Sequence, residues 1–332
     1  MRSRDVVLGL LLASVVLSAC SREEPVVEWS DPAPHAERFV TVNGARLHVL
    51  DWGGSGDAIV LVPGGGDNPH AFDALAPKLS DAYRVVSYAR RAHGRSQAVG
   101  PYDMDTLVGD LAAIMDTLGI RRAHLGGWSM GGHEITRFAA LHPERVGKLV
   151  YLDGAYEWTN PIFGEHMKAL TTLEWEPPPP ALAYFPAFKA WLQRGWFEGT
   201  PWTAAAEAYA RDLVEETPDG RLRFLPAGSV LAPLTEAIAS YRRDYRSVQA
   251  PALAIFVPEF APVDVPDSAV RRQRTEWTAA HWQSWQQLSR KRFESEMRSR
   301  QVILLPTGNH ITFPFVHHDT IASAMRAFLT AK

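Results

Sequence analysis

Cysteine is almost missing from this chain: Cys20 is the only one in 332 residues. An intrachain disulfide is therefore excluded in any compartment, and the fold has to be held by its core. A basic excess is missing as well. Against 34 Lys and Arg stand 37 Asp and Glu, a net charge of −3 with no basic stripe, which offers nothing to a nucleic-acid backbone. The apolar run from Val6 to Leu17 is too short to span a bilayer by itself. No repeat, charge block or flexible linker forces a division of the chain. What is present is 46% hydrophobic and 21% charged residues, the composition of a globular protein with a large core.

The N-terminus stands apart. Arg2 and Arg4 precede the apolar run, which has the length of a signal-peptide core. Leu17-Ser18-Ala19-Cys20 follows and resembles the lipobox of bacterial lipoproteins. The resemblance implies a signal peptide over 1–19, a lipid on Cys20 and attachment to a membrane facing the periplasm or cell surface. Ser21, in place of an Asp, resembles outer-membrane sorting. Cleavage at a nearby residue, giving a soluble exported protein, and an uncut anchor are the alternatives. The polar, Pro-containing stretch that completes 20–34 reads as a tether.

Beyond the tether the pattern alternates. Glu37 to Asp51 predicts a hairpin about Asn43-Gly44. Ala58 to Val62 is a continuous apolar run, the mark of a strand buried on both faces, and it ends at Pro63-Gly64-Gly65-Gly66. A helix capped by Asn68, with Phe72, Leu75 and Leu79 on one face, is expected next. Strands are predicted over Arg84–Tyr88, Ala123–Gly126, Val146–Leu152, Ala252–Val257 and Val302–Leu305. Between them lie a helix capped by Asp105 and another running to about Leu141. A long helix around Thr275–Arg300 and a closing one over Thr320–Leu329 complete the pattern. Such alternation implies an α/β fold with a mostly parallel, doubly wound sheet. From Tyr156 to about Arg246 the rhythm breaks into an aromatic-rich stretch with four consecutive prolines, Pro177 to Pro180, which reads as an insertion above the sheet.

Gly127-Trp128-Ser129-Met130-Gly131 sits where a buried strand turns into a helix. As five residues it is weak evidence. In that context it describes a nucleophile elbow, whose glycines permit the tight turn that lifts a serine hydroxyl above the sheet edge. The serine needs a general base, and histidine is the side chain suited to accept a proton near neutral pH.

These residues resemble the α/β-hydrolase superfamily over nearly all the chain after the tether. The resemblance rests on the glycine turn 63–66, the segment Tyr88 to Ser96 (similar to the family's D-x-R-G-x-G-x-S loop), the elbow at Ser129, and His310 just after the last strand. Ala89 and Ala92 stand where the loop has Asp and Gly, and Pro63 where the family has His. The resemblance implies a hydrolase domain over 35–332 with a helical cap at about 156–246, inserted after the strand ending at Asp153. It makes His310 the base. His317 and His318 invite a metal reading but suit a solvated helix start, and His48, His93 and His124 suit structural positions.

The third catalytic member is less clear. Asp153 ends a strand where some family members carry the acid. Counting through the later turn places Phe260 at the other acid position, with Glu259 one residue off and Asp264 further along. Asp153 is preferred and Glu259 is the alternative. The oxyanion hole is expected from the N–H groups of Gly65 and Met130, and Trp128 is a candidate wall of the substrate pocket or could equally pack against the cap.

The function expected is a serine esterase that cleaves a small hydrophobic acyl compound through a Ser129 acyl-enzyme, without metal or organic cofactor. Lactone, amide or C–C hydrolysis, perhydrolysis, and a non-catalytic binding protein are the alternatives. The cap aromatics read either as an apolar lid over Ser129 or as the cap's own core.

Overall fold

In the computed structural model the described residues are 29–159 and 161–331, without the side chains of 161–163 and 166. The expected signal peptide, the lipidated Cys20 and most of the tether lie outside them. Contacts divide the chain into Met1–Asp31 and Pro32–Lys332. Among the described residues no helix is long and apolar enough to cross a membrane.

All strands among the described residues lie in the second unit. The hairpin forms β1 (Ala36–Val42) and β2 (Ala45–Gly53). Then come β3 (Ala58–Val62), β4 (Arg84–Tyr88), β5 (Ala123–Trp128) and β6 (Val146–Leu152). A small separate hairpin pairs β7 (Val214–Glu216) with β8 (Leu222–Phe224). The last strands are β9 (Ala252–Phe256) and β10 (Arg300–Leu304). The main sheet has the order β1-β2-β4-β3-β5-β6-β9-β10. Only the β1–β2 and β2–β4 pairings are antiparallel.

Strand alternation sends side chains to two cores. In β3, Ala58, Val60 and Val62 enter one, while Ile59 and Leu61 enter the other. In β9, Ala252, Ala254 and Phe256 face one way and Leu253 and Ile255 the other. The first core is covered by α1 (Met104–Thr117) and α2 (Gly131–Leu141). Above the sheet, between β6 and β9, stand α3 (Pro161–Ala169), α4 (Phe185–Arg194), α5 (Ala204–Arg211), the small hairpin and α6 (Gly228–Ser240). The chain then forms α7 (Ser268–Trp277) and α8 (Gln283–Glu296), and ends in the short α9 (Phe313–Val316) and α10 (His318–Thr330).

Three expectations are corrected. Asn68 accepts from the His70 N–H, but only two 3₁₀ turns follow, Pro69–Phe72 and Ala76–Lys78, because Pro77 cannot donate to a longer helix. The cap of α1 is Asp103, which accepts from the Thr106 N–H at 2.9 Å, and Asp105 lies in the first turn. The long helix starts earlier than expected, where Asp267 accepts from the N–H groups of Ala269 and Val270. A π-helical turn over Thr278–Trp282 joins α7 to α8. Such insertions re-aim side chains, and this one lies beside the site.

Candidate active site

The site forms at the C-terminal edge of the central strands, where α/β sheets bind ligands. β5 runs straight into α2, and the turn between them is tight. Ser129 adopts φ +52°, a left-handed conformation that costs an L-residue about 1–2 kcal/mol. Gly127 and Gly131 make the turn possible. A Cβ on Gly127 would stand 2.5 Å from the Gly131 backbone, and one on Gly131 only 2.3 Å from the Val62 carbonyl oxygen. Met130 is the N-cap residue of α2, so its N–H is outside the helical ladder and available to a developing anion.

The structure brings Ser129, His310 and Asp153 together. His310 Nε2 lies 2.8 Å from Ser129 Oγ, and Nδ1 lies 2.6 Å from Asp153 Oδ2. All three residues are buried. Asp153 follows β6 at φ +45°, which turns its carboxylate across the strand ends. Its other oxygen, Oδ1, accepts from the Tyr156 hydroxyl at 2.6 Å and the Val257 N–H at 3.1 Å. Gln286 in turn donates to the Tyr156 hydroxyl and the Val257 carbonyl oxygen. Burial and the adjacent Asp153 charge push the Tyr156 phenol well above its ordinary pKa, so it stays a donor.

Glu259 meets His310 through its main chain: its carbonyl oxygen accepts the His310 N–H at 2.9 Å. Its half-buried carboxyl is pushed up to about 7 by burial and by Asp264. Phe260, at the counted acid position, stacks on the His310 ring with centroids 5.2 Å apart and planes 15° apart. Asp264 is exposed.

The glycine turn lies beside the elbow: a Cβ on Gly65 would stand 3.4 Å from the Met130 Sδ. Arg90 braces this turn from behind. Its buried guanidinium donates to the carbonyl oxygens of Pro63 and Gly64 and pairs with Glu134, to which Tyr88 also donates. Ala92 takes φ +62°, a left-handed conformation that glycine adopts more readily.

Trp128 is buried, in one core cluster with Phe188, Trp191 and Phe197 of the inserted segment, and its indole N–H donates to the His310 carbonyl oxygen at 3.3 Å. The rings around His310 are Phe260, Trp282, Tyr156, Trp158 and Trp128, with centroids 5.2–6.3 Å away. The cap aromatics Phe188, Trp191 and Phe197 are buried in the second core and pack with Trp196, Phe224 and Phe315. His318 lies 3.5 Å from Asp319. His93 is buried, its pKa lowered to about 3 by burial and Arg90, as suits a structural histidine.

Sequence reasoning missed Tyr156, Gln286 and the bracing role of Arg90. No local pattern marks the first two, because a loop and a π-turn bring them to Asp153. It also missed Asp67, an acid visible in sequence just after the glycine turn.

Comparison with known proteins adds to this geometry. The family model described as alpha/beta hydrolase fold matches residues 57–211. A protein of Caulobacter segnis, assigned to carbamate hydrolysis by name alone, is 37% identical over 125 residues, covering 36% of this chain and 46% of its own. A 2-hydroxy-6-oxononadienedioate/2-hydroxy-6-oxononatrienedioate hydrolase of Burkholderia vietnamiensis is 39% identical over 120 residues, covering 33% of this chain and 40% of its own. The chain thus spans less than half the length of these relatives. Among solved structures, E-2-(acetamidomethylene)succinate hydrolase superposes with a TM-score of 0.65 at 21% identity, covering 90% of this chain and 100% of that one.

Proposed function

From the α/β-hydrolase fold of this chain, with the superfamily supported by the matched family model and by relatives named as hydrolases, we propose a serine hydrolase that cleaves a carboxylic ester or related acyl compound. The observation that carries this reading is the continuous contact from Ser129 Oγ to His310 and on to Asp153.

In this mechanism Ser129 Oγ attacks the carbonyl carbon as its proton passes to His310 Nε2. Asp153 holds the ring by Nδ1–H and stabilises the imidazolium. The N–H groups of Met130 and Gly65 hold the oxyanion, and one such donor is worth about 10²–10³ in rate. Collapse of the tetrahedral adduct breaks the bond to the leaving oxygen, which takes the proton from His310. Water, deprotonated by His310, then attacks the acyl-enzyme and releases the acid and Ser129. The aromatic rings around His310 suit an apolar group on the leaving side of the substrate. Relatives named for carbamate and dioate hydrolysis leave other acyl bonds open to the same nucleophile.

A fluorophosphonate probe should label the folded protein and fail to label Ser129→Ala. Absence of labelling, together with no turnover of p-nitrophenyl esters of any chain length, would sink this reading. The lipobox-like Leu17 to Cys20 supports a second proposal, that the enzyme is exported and held on a membrane by a lipid on Cys20. Cys20→Ser should move it from the membrane to the soluble fraction, and a variant that stays bound would refute the lipid.

A further inference from the structure

Asp67 follows the glycine turn and is 9% exposed. Its Oδ1 accepts the Tyr209 hydroxyl from α5 at 2.5 Å. Asn68 Nδ2 ties the same helix down by donating to the Tyr209 carbonyl oxygen at 2.9 Å. With Oδ1 occupied, Oδ2 lies against Gly64 of the glycine turn. A Cβ placed on Gly64 would lie 2.1 Å from Asp67 Oδ2 and 3.3 Å from Ser129 Cβ, so this oxygen stands beside the nucleophile. The side-chain hydrogen bond of this carboxylate is the one from Tyr209, to Oδ1. The nearest buried cation, Arg90, spends its donors on Glu134, Pro63 and Gly64. A carboxylate oxygen that solvent reaches is open to a ligand donor, and a ligand that covers it without supplying one leaves it unpaired.

Resting on the serine-hydrolase reading, we propose that Asp67 Oδ2 selects substrates whose acyl group carries an N–H donor, best a cationic amine, close to the scissile carbonyl. The leaving oxygen has to face His310 Nε2 to be protonated and the oxyanion the N–H groups of Gly65 and Met130, so the substituent left to reach Asp67 is the acyl part. An amine two carbons from the carbonyl carbon pairs with Oδ2. A plain alkyl group leaves that oxygen buried and unpaired, and an anionic group meets like charge. Burial raises the Asp67 carboxyl to about 6, against the lowering influence of Tyr209, Arg90 and His310. It ionises just below neutral pH, and the selectivity switches on there.

The test compares kcat/KM of the full-length protein on p-nitrophenyl β-alaninate, butanoate and hemisuccinate, each normalised to its own hydroxide rate. The β-alaninate should exceed butanoate by about 10–100-fold, as a charge-assisted hydrogen bond allows, and hemisuccinate should be slowest. In Asp67→Asn the β-alaninate-to-butanoate ratio should fall to about 1. A wild-type ratio at or below 1, or a ratio kept in Asp67→Asn, overturns the assignment. If that variant does not fold, the wild-type ratio decides. It should climb as pH rises through about 6 while the amine stays charged, and a flat ratio overturns the proposal. Turnover of butanoate without amine preference sinks only the role of Asp67. No labelling and no turnover of any ester sinks the serine-hydrolase reading, and this proposal with it.

Discussion

Two carboxylates flank Ser129, and their surroundings are opposite. Asp153 is fully buried with both oxygens engaged, by His310 on one side and by Tyr156 and the Val257 N–H on the other. Asp67 is nearly as buried, but its side-chain hydrogen bond is the one from Tyr209, to Oδ1, and its second oxygen lies against Gly64. The comparison teaches that burial alone does not assign a role to an acid. The number of donors around it does: a saturated carboxylate orients its neighbour, and an unsaturated one waits for a ligand.

The comparison can be broken first at its saturated end. Asp153→Asn should lower kcat by about 10⁴ through the wrong His310 tautomer, while Glu259→Gln should stay within a few-fold of wild type. Steady-state kinetics showing the reverse order would move the acid to Glu259. The glycines beside the two carboxylates give the next test. At Gly127 a Cβ meets backbone that cannot yield, whereas at Gly64 it meets the tip of the Asp67 side chain. Gly127→Ala should therefore lose about 2–3 kcal/mol of stability in urea unfolding. A loss as large in Gly64→Ala would mean that Asp67 is as rigid as the elbow.

The two tyrosines allow the finest discrimination. Tyr156→Phe removes a donor from Asp153. That weakens the positioning of His310, so kcat should fall about tenfold. An unchanged kcat would reduce Tyr156 to packing. Tyr209→Phe removes the hydrogen bond that favours ionised Asp67. The Asp67 carboxyl should ionise at higher pH, and the amine preference should set in above about 6, at a cost of a few-fold at neutral pH. An unchanged onset would detach Tyr209 from the titration of Asp67.

Much of this was legible in the residues. The strands read as apolar runs, because a parallel strand buried on both faces has little room for polar side chains. Ser129 was legible because the elbow is local: two glycines at fixed offsets are required by contacts within a few residues and with the neighbouring strand. The 3₁₀ turns after Asn68 were misread as a helix, since three apolar residues at helical spacing outweighed Pro77. Trp128 stays open between two settings in the residues, pocket wall or cap contact, because a strand's direction does not say which neighbour its last ring meets.

The sequence by itself determined the order of strands and helices, the nucleophile turn and the candidate base, all of which depend on short-range spacing and on chain order. Only the tertiary structure decided which acid His310 meets. Asp153 and His310 are 157 residues apart, and their contact depends on the parallel register of β6 beside β9 and on the left-handed turn at Asp153. It also decided that Phe260 fills the competing position with a stacked ring, that Tyr156 and the Val257 N–H complete the acid's hydrogen bonds, and that Tyr209 engages only one oxygen of Asp67. Hydrogen-bond saturation is a count over neighbours in space, and a linear pattern does not contain that count.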